Sequence, residues 1–228
     1  MATVLVINMG LKSIRAIIFS DKGQKLGSSH VAIRTAINDK SVEQNPEEWR
    51  KLTLRALGKA FYDAGKCKID YITVTSSASC LVCVGEKGES LCNALMVSDK
   101  RAEKEAEYIG NLKSFKEVEK ETGLAISASL MLPKILWLKN NDNSLYKKVK
   151  HFLSPNDFLI QFLSGEIITD EINASKFHYS IDKKQYPLEL LKENVHIFPC
   201  EHRITDTMPS KPLTNAIGCE GASQYVST

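Results

Sequence analysis

The stretch "VLVINMGLKSIRAIIFSDKGQKL", residues 4–26, decides the fold. Residues 4–7 form one apolar run, and Gly10 then punctuates the chain. Ile14, Ala16 and Ile18 alternate with Arg15 and Ile17 along a second strand, and Asp21-Lys22-Gly23 supplies the next turn signal. Residues 26–33 continue as a third strand. Strands folded back at glycines in this way are expected to leave backbone N–H groups around Gly10 pointing outward, as a phosphate nest. The side chains at that tip, however, are Asn8, Leu11 and Lys12.

Outward from this hairpin, "SVEQNPEEWRKLTLRALGKAFYDAG" (residues 41–65) carries a helix-start signature. Asn45 stands at the N-cap, Pro46 at the first helical position and Glu48 three residues beyond Asn45, a capping-box arrangement. Trp49, Leu52, Ala56, Leu57, Ala60, Phe61 and Ala64 recur at helical spacing until Gly65. "DYITVTSS" (70–77) then reads as a buried strand, and "CLVCVGEKGESLCNALMV" (80–97) as a hairpin turning at residues 85–88. From Asp99 the spacing predicts helices ending near Gly110 and Lys120 and another over residues 133–139. "HFLSPNDFLIQFLSGE" (151–166) reads as a strand end and a helix opened by Ser154-Pro155 and closed by Gly165. Beyond Pro199 the chain turns polar and irregular. The pattern predicts an α/β fold, a mixed sheet flanked by helices.

Composition narrows the function classes. The 228 residues are 43% hydrophobic and 25% charged, as in ordinary soluble domains. A net charge of +3 is too slight to argue for nucleic acid, and Lys147, Lys148 and Lys150 read as a solvated helix end. The N-terminal apolar run is too short for a signal peptide, and no stretch reaches the roughly 20 apolar residues of a membrane span. A cytoplasmic protein is expected. Cys80 and Cys83 form a C-x-x-C pair without a second such pair or a following helix start, so buried, reduced thiols are expected there. His196, Cys200 and His202 in "HIFPCEH" lack a fourth zinc ligand at the usual spacing. Neither a Walker phosphate loop nor a G-x-G-x-x-G motif is present.

Several stretches, taken in order, resemble one family, the N-terminal domain of the FGGY carbohydrate kinases (glycerol kinase, xylulokinase and gluconate kinase). "INMGLKSIRAIIFSDKGQ" is similar to that family's opening "D-x-G-T-T-S-x-R" hairpin, and "SVEQNPEEW" to its "EQDPEEW". "VSDKRAEKEAEYI" resembles "W-x-D-x-R-A", and "ITDEINASKFHYSID" resembles "TD-x-S-N-A-S-x-T". "TGLAISASLMLPKILWLKNN" and "FLSPNDFLIQFLSGE" also follow the family pattern. The resemblance implies a ribonuclease H-like (actin-like ATPase) domain that binds sugar, followed by a second such domain that holds most of the ATP. Residues 1–204 would be the first domain and 205–228 the start of the connection to the second, since the chain stops at Thr228 about where that domain is expected.

The same resemblance implies roles. Asp170 matches the catalytic base, which accepts the proton of a sugar hydroxyl as it attacks the γ-phosphate. The alternative is a carboxylate that merely caps the turn before "EINAS". The Asp that helps place Mg²⁺ falls on Asn8, a neutral and weaker ligand, and the two Thr hydroxyls fall on Leu11 and Lys12. Gly10, Ser13 and Arg15 are kept, so Asn8, Gly10, Leu11, Lys12, Ser13 and Arg15 are the expected phosphate-side residues. On the sugar side "SGQMHG" becomes "TSSASC" and the Trp of "W-x-D" becomes Val97. Ser76, Ser77, Ser79, Asp99 and Asp170 are the candidate sugar contacts, with a plain polar turn an equal reading of the serines and a helix-capping pair an alternative for Asp99 and Arg101. The implied cofactors are ATP and Mg²⁺, and the implied partner is a small sugar or polyol, with a homodimer left open. The isolated chain is expected to lack a competent ATP site. A non-catalytic carbohydrate-binding or regulatory protein, favoured by Asn8, Leu11 and Lys12, and an actin-like assembly module are the competing classes.

Overall fold

The computed structural model describes residues 2–65, 67–194 and 203–205. Its strands are β1 (Thr3–Met9), β2 (Ser13–Ser20), β3 (Lys25–Ala32), β4 (Ala36–Asn38), β5 (Ser41–Gln44), β6 (Tyr71–Ser76), β7 (Val82–Val84), β8 (Ala94–Leu95), β9 (His151–Leu153), β10 (Ile168–Asp170) and β11 (Arg203–Thr205). The helices are α1 (Pro46–Asp63), α2 (Glu103–Gly110), α3 (Lys113–Thr122), α4 (Met131–Asn141), α5 (Asn143–Tyr146), α6 (Pro155–Ser164), α7 (Glu171–Ser175) and α8 (Leu188–Asn194).

The main sheet has the order β3-β2-β1-β6. β1 and β2 are antiparallel, with Leu5 opposite Ile18 and Ile7 opposite Ala16, and β2 and β3 are antiparallel in turn. β6 joins the other edge of β1 in parallel, Asn8 beside Thr75. A parallel partner requires a crossover, and α1 lies in it. Strand alternation puts Leu5, Ile7, Met9, Ile14, Ala16 and Ile18 on one face, all but closed to solvent, where they meet Trp49, Ala56, Leu57 and Ala60 of α1. Each such large side chain contributes about 1.5–3 kcal/mol by leaving water. The layer expected from the opening strands, the strand near residue 70 and the Pro46 helix is therefore present.

The contact of α1 with the sheet is close enough to demand glycine. A Cβ on Gly27 would lie 2.5 Å from Ala60 O and 2.6 Å from Ala64 N. Asn45 caps α1 as expected, its side chain accepting from Glu47 N at 2.9 Å. The reciprocal Glu48 half of a capping box is not among the hydrogen bonds of the described residues. Ahead of the cap, Trp49 Nε1 donates to Gln44 Oε1 (3.0 Å), and Gln44 Nε2 donates to Leu11 O (2.8 Å). The "EQNPEEW" stretch thus ties the start of α1 to the tip of the first hairpin.

A second apolar cluster, not foreseen from the sequence, gathers α2, α3, α4 and α8. It shares its elements with the first. β7 pairs with β9, and alternation sends Val82, Val84 and Leu153 to the sheet core but Leu81, Cys83 and Phe152 to the helical cluster. The expected 80–97 hairpin is present and turns at residues 85–88. Leu81 and Leu95 exchange backbone hydrogen bonds (2.8 and 3.0 Å), Leu91 N donates to Cys83 O (2.8 Å), Val84 bridges Ser90, and Gly85 N donates to Glu89 O (2.9 Å). β8 pairs with β5 as well, as the edge of a β4-β5-β8 sheet. The chain beyond Pro199 is less irregular than expected, because Arg203–Thr205 form β11, parallel to β10. His196, Cys200, His202 and residues 206–228 lie outside the described residues. Lys147, Lys148 and Lys150 are exposed just after α5, as expected of a solvated helix end.

α6 starts with a complete capping box. Ser154 Oγ accepts from Asp157 N (3.2 Å), and Asp157 Oδ2 accepts from Ser154 N (3.2 Å). Asp157 is fully buried, and that burial pushes its carboxyl up to about 7.

Two outcomes are expected. Gly27→Ala forces β3 away from α1 and costs about 1–3 kcal/mol, as overpacking typically does. Urea unfolding should show a lower midpoint at unchanged slope. For Asp157 the folded pKa exceeds the unfolded value of 3.8, so the native state holds the proton more tightly. The stabilisation is full below about 4 and is lost as pH rises towards 7. Thermal midpoints measured across that window should fall with pH in the parent and be flatter in Asp157→Asn.

Candidate functional site

The carboxyl ends of β6 and β10 open onto a cleft of about 390 Å³, lined by Thr75, Ser76, Ala78, Asn156, Asp170, Glu171, Ile172 and Asn173. Strand ends of this kind are where open α/β sheets bind ligands. Each polar group is placed by a backbone element: Ser76 ends β6, Asn156 lies in the first turn of α6, and Asp170 ends β10 and caps α7.

Asp170 is the centre of the cleft's hydrogen bonding. Its Oδ1 accepts from Asn173 N (2.8 Å), and its Oδ2 accepts from Asn173 Nδ2 (2.7 Å) and Asn156 Nδ2 (3.3 Å). A carboxylate offers about four acceptor positions, so three are filled and the open one is on Oδ1. Because both amide NH₂ groups face Asp170, their oxygens are fixed too. Among the described residues no hydrogen-bond donor reaches the buried Asn156 Oδ1 and Asn173 Oδ1. Sequence reading singled out Asp170 but missed both asparagines, although each stands inside a stretch that carried the family resemblance, "FLSPNDFL" and "TDEINAS".

The serine wall divides. Ser76 lines the cleft, and Ser77 donates its backbone N–H to Met9 O (3.0 Å) just beyond the strand. Ser79 is buried and left-handed, with φ of 65°. Asp99 is closed off altogether. Its carboxylate accepts from Val42 N (2.9 Å), Arg101 N (3.1 Å) and the Arg101 guanidinium, which also donates to Glu43 Oε1 (2.7 Å) and stacks 4.5 Å over Trp137. Asp99 and Arg101 thus clamp β5 to the start of α2, and neither Ser79 nor Asp99 lines the cleft.

The hairpin tip departs from the expected nest. Gly10 N donates to Ser13 O (2.9 Å), so this N–H is spent inside the turn. Nor does Gly10 need to be glycine for its backbone, since it is not left-handed and a Cβ would meet only Ser13 O at 3.6 Å. Leu11 and Lys12 stand exposed, their carbonyls anchored by Gln44 Nε2 and Ile33 N. On the strands behind them, register aligns His30, Arg15, Asn8 and Thr75 in one row across β3, β2, β1 and β6. Thr75 joins this row to the Asp170 cleft, whereas Ser13 and Arg15 border a separate groove with Ser28, Ser29 and His30.

Neither Cys80 nor Cys83 suits redox or metal work. Both are buried and free, burial pushes the Cys80 thiol up, and contact with Cys92 together with burial raises Cys83 further. They also face different clusters. Among the described residues no group of three or more His, Cys, Asp and Glu could hold a metal ion, and no helix is long and apolar enough to cross a membrane.

Comparison with known proteins agrees with this architecture. A xylulose kinase of Staphylococcus xylosus is 25% identical over 221 residues, covering 95% of this chain and 46% of that protein. A glycerol kinase of Thermococcus onnurineus is 31% identical over 199 residues, covering 83% of this chain and 40% of that protein. The crystal structure of xylulose kinase from Rhodospirillum rubrum superposes with a TM-score of 0.81 at 18% identity, over 88% of this chain and 42% of that one. The mixed sheet flanked by helices is accordingly the actin-like fold that the sequence led us to expect. The chain spans about half the length of the curated relatives it matches. The family model for the N-terminal domain of the FGGY carbohydrate kinases matches residues 3–195, and the chain belongs to that family.

Proposed function

We propose that this chain is the sugar-binding half of an ATP-dependent carbohydrate kinase and that the Asp170 cleft receives a sugar or polyol. The observation that carries the reading is the carboxylate held by two buried amides on a cleft at the strand ends, with one acceptor position left on Oδ1. A substrate hydroxyl donating to that position is oriented and gives Oδ1 its proton as it becomes a nucleophile. Ser76 can accept from or donate to a neighbouring hydroxyl. Asp170 also caps α7, so the base role and the structural role coexist in one residue. The relatives named as xylulose kinase, gluconokinase and glycerol kinase make these three compounds the first probes.

A kinase of this family implies ATP and a divalent metal, which when bound supply the phosphoryl group and neutralise its charge. Asn8 does not fit as the metal's ligand in this chain. It offers one neutral amide, half-buried, in a row with the Arg15 cation and with no acidic cluster among the described residues. The exposed Lys12 at the tip and Arg15 on the strand behind it suit the charge of a phosphate better than that of a cation. The hydroxyls missing at positions 11 and 12 and the spent Gly10 N–H favour a second reading, a carbohydrate-binding protein without phosphoryl transfer. A soluble, cytoplasmic setting is the setting we propose for either.

Titrating D-xylulose, D-gluconate or glycerol into the ¹⁵N-labelled chain is expected to shift amides at residues 75–77 and 170–173. Shifts confined elsewhere would reject the cleft. Ser76→Ala should weaken binding roughly 3- to 10-fold, the worth of one hydrogen bond. The 228-residue chain alone should release no measurable ADP with any of the three, since its curated relatives are about twice as long. Joined to an ATP-binding half, Asp170→Asn keeps an N-cap of equal quality but should lower turnover by 10²- to 10⁴-fold if Oδ1 takes the proton. Unchanged turnover would leave Asp170 only its capping role.

A further inference from the structure

Three segments around the serine wall converge on one buried ammonium group. Lys134, in the first turns of α4, is closed to solvent. Its Nζ donates to Ser79 O (2.7 Å), Met96 O (2.8 Å) and Ser129 O (3.0 Å). An ammonium has three hydrogens, and here each has its own carbonyl. The carbonyls come from separate stretches: the turn after β6, the residue after β8, and the turn that leads into α4. Ser79 is also the left-handed residue of the first turn, a conformation that persists in a residue with a Cβ only where its surroundings impose it.

The ionisable groups facing Lys134 are Cys80 on the turn after β6, and Asp99 and Arg101 beyond β8. Asp99 is committed to Arg101 and Val42, so backbone carbonyls do the holding. Burial lowers the Lys134 pKa to about 8, which still leaves the ammonium form in the majority at pH 7.

We propose that Lys134 is a positioning residue for the turn that brings Ala78 to the cleft, its ammonium setting the turn at 77–80, the segment at 96–98 and the turn at 127–130 in one fixed arrangement. That the cleft receives a sugar rests on the kinase reading above. Lys134 touches no substrate in this scheme. It acts through the backbone of Ser79, one residue past Ala78 of the cleft.

The test compares Lys134→Met, Lys134→Arg and Leu138→Ala, the last a buried control on the same helix. Amide hydrogen exchange at pH 7 is expected to quicken at least tenfold at residues 79–80 and 96–97 in Lys134→Met, with α1 unchanged. Lys134→Arg should restore part of that protection, and Leu138→Ala should leave those amides as they were. Equal loosening by Leu138→Ala, or none in Lys134→Met, would overturn the proposal. Should Lys134→Met fail to fold, the parent alone decides: lysine-selective ¹⁵N spectra at pH 7 should show a slowly exchanging ammonium signal, and its absence overturns the proposal. With D-xylulose, D-gluconate and glycerol as probes, affinity should fall at least tenfold in Lys134→Met and stay within twofold in Leu138→Ala. Equal affinity in Lys134→Met and the parent also overturns it. If the parent binds none of the three, the kinase reading fails, while the exchange and ammonium measurements still decide the role of Lys134.

Discussion

The parallel pairing of β1 with β6 is the constraint from which the rest of the molecule follows. A parallel neighbour cannot be reached by a tight turn, so the chain must leave the sheet, cross it and return. Everything between Ala32 and Tyr71 serves that crossover, including α1 and the β4–β5 hairpin. The return sets the carboxyl ends of β1 and β6 side by side, with Asn8 next to Thr75 and Met9 next to Ser76. The cleft inherits its location from that register. A one-residue slip would turn Leu5, Ile7 and Met9 out of the core and Asn8 into it.

Around this frame, buried polar groups do work that apolar packing cannot. Gln44 joins Trp49 to the hairpin tip, Asp99 joins β5 to the start of α2 through Arg101, and Asp170 draws two asparagines from α6 and α7 to one carboxylate. Each hub connects segments far apart in the chain, and each satisfies groups whose burial would otherwise cost free energy. The two asparagine oxygens at the cleft are among the buried atoms left without a partner within the described residues. Unsatisfied buried acceptors in a native protein call for a reason, and here both belong to amides whose nitrogen ends are committed to Asp170.

The two apolar clusters show how a short strand pair can serve two cores. β7 and β9 are three residues each, too short to stand alone, yet alternation points their side chains to the sheet layer on one side and the helical layer on the other. That sharing makes the helices α2 to α4 part of the same unit as the sheet. It also explains why Cys80 and Cys83, three apart in sequence, end in different surroundings and not as a redox pair.

By itself the sequence determined the elements whose signals are local. The opening strands were legible from alternation, α1 from Asn45, Pro46 and its apolar spacing, and α6 from Ser154, Pro155 and Gly165, because caps and periodicity act within a few residues. Order and spacing of whole stretches were enough to indicate the family. Tertiary structure alone decided what the polar residues do. Gly10 spends its N–H inside the turn, Asp99 is a buried clamp, Ser79 is held from behind, and Asn156 and Lys134 emerge as hubs although neither stood out in the sequence. The physical reason is distance along the chain. Lys134 meets carbonyls 55 and 38 residues away, and Asn156 meets Asp170 across 14 residues, so no local pattern records those bonds.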